Sequence, residues 1–238
     1  MTDKSQPPAT RRRWFRFSLR MLLVVVTVLC VWLAFKVNAA RRQKLAVEAI
    51  LRAGGTVWFD YHNVPVPGVP NSKFNRDAAP PGPAWLREVI GQDYFRTADC
   101  VDFIDRAIKQ SDLAQVAQLP ELICVNLNST KIVDGTGHMR PIADYDLVFL
   151  ERLTKLHDLV LSNYTGMGLV TDAGLERVQN FADLDELYLR NNKISDAGLR
   201  YLTGLKKLKT LDLEGTQVTP LGIRDLRKAL PNCWISYR

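Results

Sequence analysis

The chain has 238 residues, of which 47% are hydrophobic, and a formal net charge of +7. Its length fits one sizeable domain or two small ones, and its composition excludes a disordered chain. The charge is not spread out. Residues 1–20 carry Lys4, Arg11, Arg12, Arg13, Arg16 and Arg20 against Asp3 alone, residues 21–44 add Lys36, Arg41, Arg42 and Lys44, and the remainder is slightly acidic. A nucleic-acid surface would gather its basic residues on the folded domain, so nucleic acid is excluded as a partner.

After the basic tail, residues 1–20, comes Met21–Ala40, in which only Thr27, Lys36 and Asn38 are polar. Twenty such residues make a helix of about 30 Å, the thickness of a bilayer's hydrocarbon core. Residues 21–40 are therefore expected to form a transmembrane helix, with Trp14, Phe15 and Trp32 as interface aromatics. The N-terminal flank is the more basic, which favours a cytoplasmic N-terminus and places the rest of the chain outside the membrane. A cleaved signal peptide is the competing reading, with Val37-Asn38-Ala39 as its cleavage site; Lys36 and Arg41-Arg42 argue against cleavage. Arg12-Arg13-Trp14-Phe15 is a weak match to a twin-arginine signal.

Residues 41–98 are expected to form a juxtamembrane cap. Arg41–Ala53 contains good helix formers and stops at Gly54-Gly55. Thr56–Tyr61 is rich in β-formers and reads as a strand. Val64–Pro83 is proline-rich and reads as an irregular loop, followed by a short helix from Trp85 to Ile90. Stacked repeats need such a cap because the first would otherwise leave apolar core open to water.

Aligning the chain with itself gives the strongest signal. Leu184-x-x-Leu187-x-Leu189-x-x-Asn192 is followed, 24 residues on, by Leu208-x-x-Leu211-x-Leu213-x-x-Thr216. The same pattern recurs upstream at Leu156–Leu161, at Leu122–Thr130 and, one step earlier, at Val101–Phe103. Leu-x-Leu is a short strand with two side chains on one face, and the Leu-x-x-Leu-x-x-Leu that follows is a helical stripe. One unit cannot bury its own apolar edge; stacked units form a continuous core.

These residues resemble the leucine-rich repeat family, nearest to its ribonuclease-inhibitor-like, cysteine-containing subtype. Val170-Thr-Asp-Ala-Gly-Leu175 and Ile194-Ser-Asp-Ala-Gly-Leu199 carry that family's turn, and Leu226–Tyr237 looks like its closing half-repeat. The resemblance covers residues 99–238. It implies an α/β solenoid with parallel strands on a concave face and helices on the convex face, here with five repeats and a terminal strand. Two steps are longer than the rest. The extra residues fall at about Val133–Tyr145 and Tyr164–Val170, after strands, and both insertions are expected at the strands' C-terminal edge.

Catalytic and cofactor motifs are absent. His62, His138 and His157 stand apart from any nucleophile pattern, and no metal or cofactor site is expected. Cys30 lies in the apolar segment; Cys100, Cys124 and Cys233 are scattered, without a CxxC pair, and read as small residues in or beside the core rather than as a disulfide framework. Asn128-Ser-Thr130 and Asn163-Tyr-Thr165 match the glycosylation pattern. The better functional candidate is the outward face of the repeat strands, with Asn126, Asp158, Glu186, Tyr188, Arg190, Asp212 and Trp234 as protein-binding residues. The expected function is a non-catalytic interaction module on a membrane anchor. Its alternatives are a structural component of the cell envelope, and an enzyme or small-ligand binder using the insertion near His138.

Overall fold

The computed structural model describes residues 19–62, 78–166 and 168–238. The chain divides into two compact units, Met1–Ala39 and Ala40–Arg238. The basic tail up to Ser18, with Trp14 and Phe15, and most of the proline-rich loop lie outside the described residues.

Helix α1 (Leu19–Arg52) is unbroken over 34 residues, where the sequence suggested a span followed by a separate helix. Among the described residues it is the one helix long and apolar enough to cross a membrane. From Arg20 to Lys36 every side chain is exposed, and the Thr27 hydroxyl is satisfied by the Leu23 carbonyl at 2.8 Å. Beyond Ala40 the pattern changes. Ala46, Val47 and Ile50, at helical spacing, are buried in the core of the second unit, while Arg41, Arg42, Lys44 and Leu45 stay exposed. The apolar run thus has no buried face, whereas the following three turns have one. Gly54 ends the helix at φ 82°. A Cβ on Gly55 would strike the Phe103 ring at 2.5 Å, so the close turn requires glycine there.

The expected strand after the helix is β1 (Thr56–Phe59), shorter than predicted because Asp60–His62 turns into a 3-10 helix. The short helix α2 (Ala84–Ile90) starts after Pro83 and stops at Gly91. Strand β1 pairs antiparallel with β2 (Ala98–Asp102), so the cap joins the repeat sheet edge to edge.

After β2 the chain forms β3 (Ala107–Lys109), α3 (Gln110–Val116), β4 (Cys124–Asn126), β5 (Lys131–Val133), β6 (Met139–Pro141), a 3-10 helix Asp144–Leu150, β7 (Asp158–Val160), α4 (Asp172–Val178), β8 (Glu186–Tyr188), a 3-10 helix Gly198–Leu202, β9 (Thr210–Asp212), α5 (Pro220–Ala229) and β10 (Trp234–Ser236). One seven-stranded sheet has the order β1-β2-β4-β7-β8-β9-β10, and all its pairings after the first are parallel. The register puts Val101, Val125, Leu159, Leu187, Leu211 and Ile235 in a single row across it. All six are buried, as are Phe103, Leu127, Leu161, Leu189 and Leu213 two residues further on. This is the period-2 burial that Leu-x-Leu specifies. The helical segments pack on one another in chain order. Two of them are 3-10 rather than the helices expected from sequence. Leu147 with Leu150, and Leu199 with Leu202, are buried pairs three residues apart, a spacing that eclipses in a 3-10 turn.

The repeated Thr/Ser-Asp-Ala-Gly turn is explained by hydrogen bonds between coils. Asp144 accepts the Thr171 N–H and hydroxyl at 2.7 and 2.6 Å. Asp172 does the same for Ser195 at 2.8 and 2.5 Å, and Asp196 for Thr219 at 2.7 and 2.6 Å. Each aspartate bridges to the start of the next helical segment. Gly174, Gly198 and Gly222 lie where a Cβ would press into those same carboxylates. The motif is therefore one interlocking joint: hydroxyl, carboxylate and the space for it.

The first insertion is ordered. Strands β5 and β6 form an antiparallel hairpin that joins β3 in a second, three-stranded sheet. Asp134 closes its turn, accepting the N–H of Thr136 at 2.8 Å and of His138 at 3.0 Å. Arg140 anchors the hairpin to the array through two hydrogen bonds to Asp146, at 2.6 and 2.9 Å. The Asp146 side chain is fully buried and also accepts the Ala143 N–H at 2.9 Å.

Candidate functional site

The outward face of the sheet is built from the strand positions between the buried ones. All seven candidate residues stand on it, but they do not form one equivalent set. Asn126 and Asp212 turn back to the backbone: Asn126 accepts the Asn128 N–H and Asp212 the Glu214 N–H, each at 3.0 Å. Asp102 does the same with Ile104 at 2.8 Å. This local turn closes the strand end, so those residue types are first of all structural.

The chemistry concentrates on β7–β9. Asp158 and Glu186 are direct register partners, as are Tyr188 and Asp212. The Tyr188 hydroxyl donates to Glu186 at 2.8 Å. Burial, with the hydrogen bond to Glu186 second, pushes the Tyr188 phenol up to about 12. Burial and the facing Glu186 carboxylate raise Asp158 above its ordinary range. Arg190 reaches Asp212 at 3.2 Å and Glu214 at 2.5 Å, and the Ser236 hydroxyl donates to Glu214 at 2.6 Å. The face thus carries an acidic set partly neutralised by one guanidinium, on a backbone held by ladder hydrogen bonds.

Glu214, outward-facing by strand alternation, completes the Arg190 pair, a link legible only from register. One member of this face escaped the sequence reading. Tyr164, 64% exposed, lies with its ring 5.9 Å from the Arg190 guanidinium; its place in the second insertion was the available signal. Trp234 on β10 is equally exposed, at 64%. At the strands' N-terminal edge, Asp185 sits between His157 at 3.3 Å and Lys209 at 3.0 Å. Burial works against ionisation there, but the hydrogen bonds from Lys209 and His157 win and hold Asp185 below the usual carboxylate range.

The cysteines require a correction. Cys100 and Cys124 are not independent core fillers; they are register partners on β2 and β4, with Cα atoms 4.4 Å apart, and are disulfide-bonded. Their separation of 24 residues is one repeat step, which brings both to the same place on adjacent strands. Cys233 is buried, and burial pushes its thiol up to about 11. Of the two glycosylation patterns, Asn163 is buried and its side chain accepts the Thr165 N–H at 2.9 Å, which leaves it inaccessible to a transferase.

The chemistry near His138 is local. Its ring nitrogen meets the Thr136 hydroxyl at 2.5 Å, and that hydroxyl donates to Asp134 at 2.6 Å. The order is that of a turn closed by its aspartate: Asp134 contacts threonine, not the imidazole, so it does not orient a base. The Thr136 contact holds Asp134 below its ordinary range. An open depression of about 550 Å³ lies between the 3-10 helix Asp144–Leu150 and α4, lined by Asp144, Tyr145, Glu151, Glu176 and Arg177 among others. The Arg177–Glu151 ion pair crosses it. Among the described residues no group of three or more His, Cys, Asp or Glu is placed to hold a metal ion.

Residues 183–228 match the family model described as leucine rich repeats, in two copies. That segment runs from the turn before β8 into α5, and the register row it contains continues to β2 on one side and β10 on the other. No characterised protein matches the sequence. Similar solved structures include an internalin from Listeria monocytogenes (21% identity, TM-score 0.39, 52% of this chain and 30% of that one). A leucine-rich repeat protein of Leptospira interrogans gives 24% identity and a TM-score of 0.37 over 52% of this chain and 27% of that one. The leucine-rich repeat ectodomain of a membrane receptor kinase from Arabidopsis thaliana, solved in complex with Casparian strip integrity factor 2, gives 16% identity and a TM-score of 0.42 over 83% and 21%. The chain spans less than a third of the length of each.

Proposed function

We propose that this chain is a non-catalytic protein-interaction module: a leucine-rich repeat solenoid, anchored by α1 in the cytoplasmic membrane, that offers the outward face of β7–β10 to a protein partner. The observation that carries the reading is the pairing of rigidity with unspent surface. Tyr188 and Arg190 are held in place by Glu186, Asp212 and Glu214, and large aromatic area remains exposed at Tyr164 and Trp234. Preorganised aromatic and arginine side chains are the types that dominate binding energy at interfaces. The ribonuclease-inhibitor-like subtype belongs to this proposal and rests on the turn motifs.

The orientation proposed is N-terminus in the cytoplasm and array outside. The charge difference across α1 supports it, and so does the Cys100–Cys124 disulfide, since such bonds persist in oxidising compartments. Protease added to intact spheroplasts checks it: the array should be digested, and full protection reverses the topology. For the binding face, the full chain in detergent is used to capture cross-linked partners. Tyr188→Ala with Trp234→Ala should lose them at unchanged thermal stability. An identical captured set sinks the face assignment.

A further inference from the structure

The Cys100–Cys124 disulfide lies on the outward face of the sheet. Strand register places Trp58, Cys100, Cys124, Asp158, Glu186 and Thr210 in one row across six strands, β1 to β9. The neighbouring row, from Val57 and Val101 to Leu211, is the buried one. Cys100 and Cys124 are both half-buried, whereas the free thiol of Cys233 is buried. A thiolate in solution can therefore approach the bonded sulfurs, and access of this kind separates exchangeable disulfides from inert ones.

The bond joins strands that the backbone already joins. On either side of the cysteine pair, the Ile123 N–H donates to the Asp99 carbonyl and the Phe103 N–H to the Asn126 carbonyl, each at 2.9 Å. On its other edge β4 is held by β7, where the Leu127 N–H donates to the Val160 carbonyl at 2.8 Å. Breaking the sulfur bond lowers stability but leaves both thiols in register, able to close again. The charge beside the bond selects what approaches it. Asp158 is the register partner of Cys124, and Glu186 is the next residue along the row. Asp102, two residues after Cys100, stands on the same face. The nearest outward cation downstream, Arg190, is taken up by Asp212 and Glu214. An anionic thiol is repelled there and a cationic one attracted.

We propose that the Cys100–Cys124 bond is a thiol–disulfide exchange site, and that its substrate is a pair of cysteine thiols on a positively charged protein segment. One thiolate of that pair attacks a bonded sulfur; the Cys100–Cys124 bond breaks, and the displaced sulfur takes a proton. The second thiolate attacks the mixed disulfide and releases the other cysteine as a thiol. The incoming dithiol is oxidised to a disulfide, losing two electrons and two protons, and both sets end on Cys100 and Cys124. The step is stoichiometric and leaves the chain reduced. It goes beyond partner binding at β7–β10 and does not depend on it.

The full chain with Cys30→Ser, oxidised and folded in detergent, is treated with cysteamine or with mercaptopropionate at equal thiolate concentration. Samples are quenched with iodoacetamide and mapped by mass spectrometry. Cys100 and Cys124 should be alkylated together, while Cys233 stays unmodified and the circular dichroism is unchanged. Removing the thiol and adding oxidised glutathione before any quench should restore the bond. With each rate normalised to that on hydroxyethyl disulfide, cysteamine should react roughly threefold or more faster than mercaptopropionate, and Asp158→Asn should shrink that ratio. Reduction that needs denaturant, or that uncovers Cys233 at the same rate, means that the bond opens only with the fold, and the exchange site is wrong. Native reduction at equal normalised rates overturns the positively charged substrate. Full alkylation before any thiol is added means that there is no bond to exchange, and the proposal ends there.

Discussion

The two halves of the repeat array reach the same strand register by different means. From β8 to β10 the coils advance in even steps, joined by the Asp172–Ser195 and Asp196–Thr219 contacts, and residues 183–228 within this part match the repeat family model. From β2 to β7 the row of Val101, Val125 and Leu159 is equally regular. Around it stand contacts with no counterpart downstream: the β5–β6 hairpin, the Arg140–Asp146 pair and the Cys100–Cys124 bond. A stacked fold conserves its core row and allows each coil to solve its own loop. At the first insertion the Arg140–Asp146 pair does the fastening, while Asp144 and Thr171 keep the repeated joint across the second.

That contrast predicts the largest stability effect in the irregular half. Asp146 is completely buried, and Arg140 supplies two of its hydrogen bonds. Arg140→Ala leaves a buried, uncompensated carboxylate and should cost about 3–5 kcal/mol, measured by denaturant unfolding. Arg140→Ala with Asp146→Leu should recover much of that loss. Equal destabilisation in both variants would mean that the hairpin needs the charges themselves, not merely a satisfied interior.

The same contrast separates what was legible in the sequence from what was not. Leu187, Leu189, Leu211 and Leu213 announce strand, face and step together, because burial follows the period of the backbone. The Thr/Ser-Asp-Ala-Gly turn was visible as a motif, yet its logic was not. The aspartate's partner lies in the next coil, and the glycine is needed only once that carboxylate is in place. Arg140 sits in an insertion with no repeat to align, so nothing in spacing joins it to Asp146 on the 3-10 helix that follows. The candidate face was found because strand alternation is simple; the division of labour on it was not. Asn126 and Asp212 close turns, while Glu186 and Glu214 organise Tyr188 and Arg190.

Next in size comes the disulfide. Cys100 and Cys124 enclose one repeat, a separation of 24 residues, and loops of that order are stabilised by about 3 kcal/mol when closed. Reduction of the oxidised chain should lower its thermal midpoint, and Cys100→Ser with Cys124→Ser should lie at the reduced value and no longer respond to reductant. Under non-reducing conditions, peptide mapping should recover the two cysteines linked. Finding both alkylated in material from an oxidising compartment would reverse the assignment.

In the regular half the joints are smaller but coupled. Asp172→Ala removes both acceptors of the Ser195 N–H and hydroxyl and should cost about 1–3 kcal/mol. Gly198→Ala pushes a methyl into the Asp172 carboxylate and should also destabilise. If the two residues act as one joint, the double variant will cost clearly less than both losses added. Strict additivity would show that glycine serves its own backbone there and not its neighbour's side chain.

The smallest expected effect lies where the halves meet, on β7. Asp158 faces Glu186 across the sheet, and its folded-state pKa stands above the ordinary 3.8 because of burial first and that carboxylate second. The native state therefore binds a proton that the unfolded chain has already released, in the window just above 3.8. Stability from this site falls as pH rises through that window and stays lost at neutral pH. Asp183 and Asp185 are shifted the other way by Lys207 and Lys209, so they contribute stability that is lost on acidification. Thermal midpoints from pH 3.5 to 7 should show Asp158→Asn gaining on the parent chain as pH rises, by a small amount because the group is half-exposed. A constant gap across the range would mean that Asp158 is tolerated without electrostatic cost, and that the acidic character of this face is ordinary surface. A widening gap would identify β7–β8 as the place where the chain retains a like-charge pair at the expense of its own stability, which is the behaviour of residues kept for binding rather than for folding.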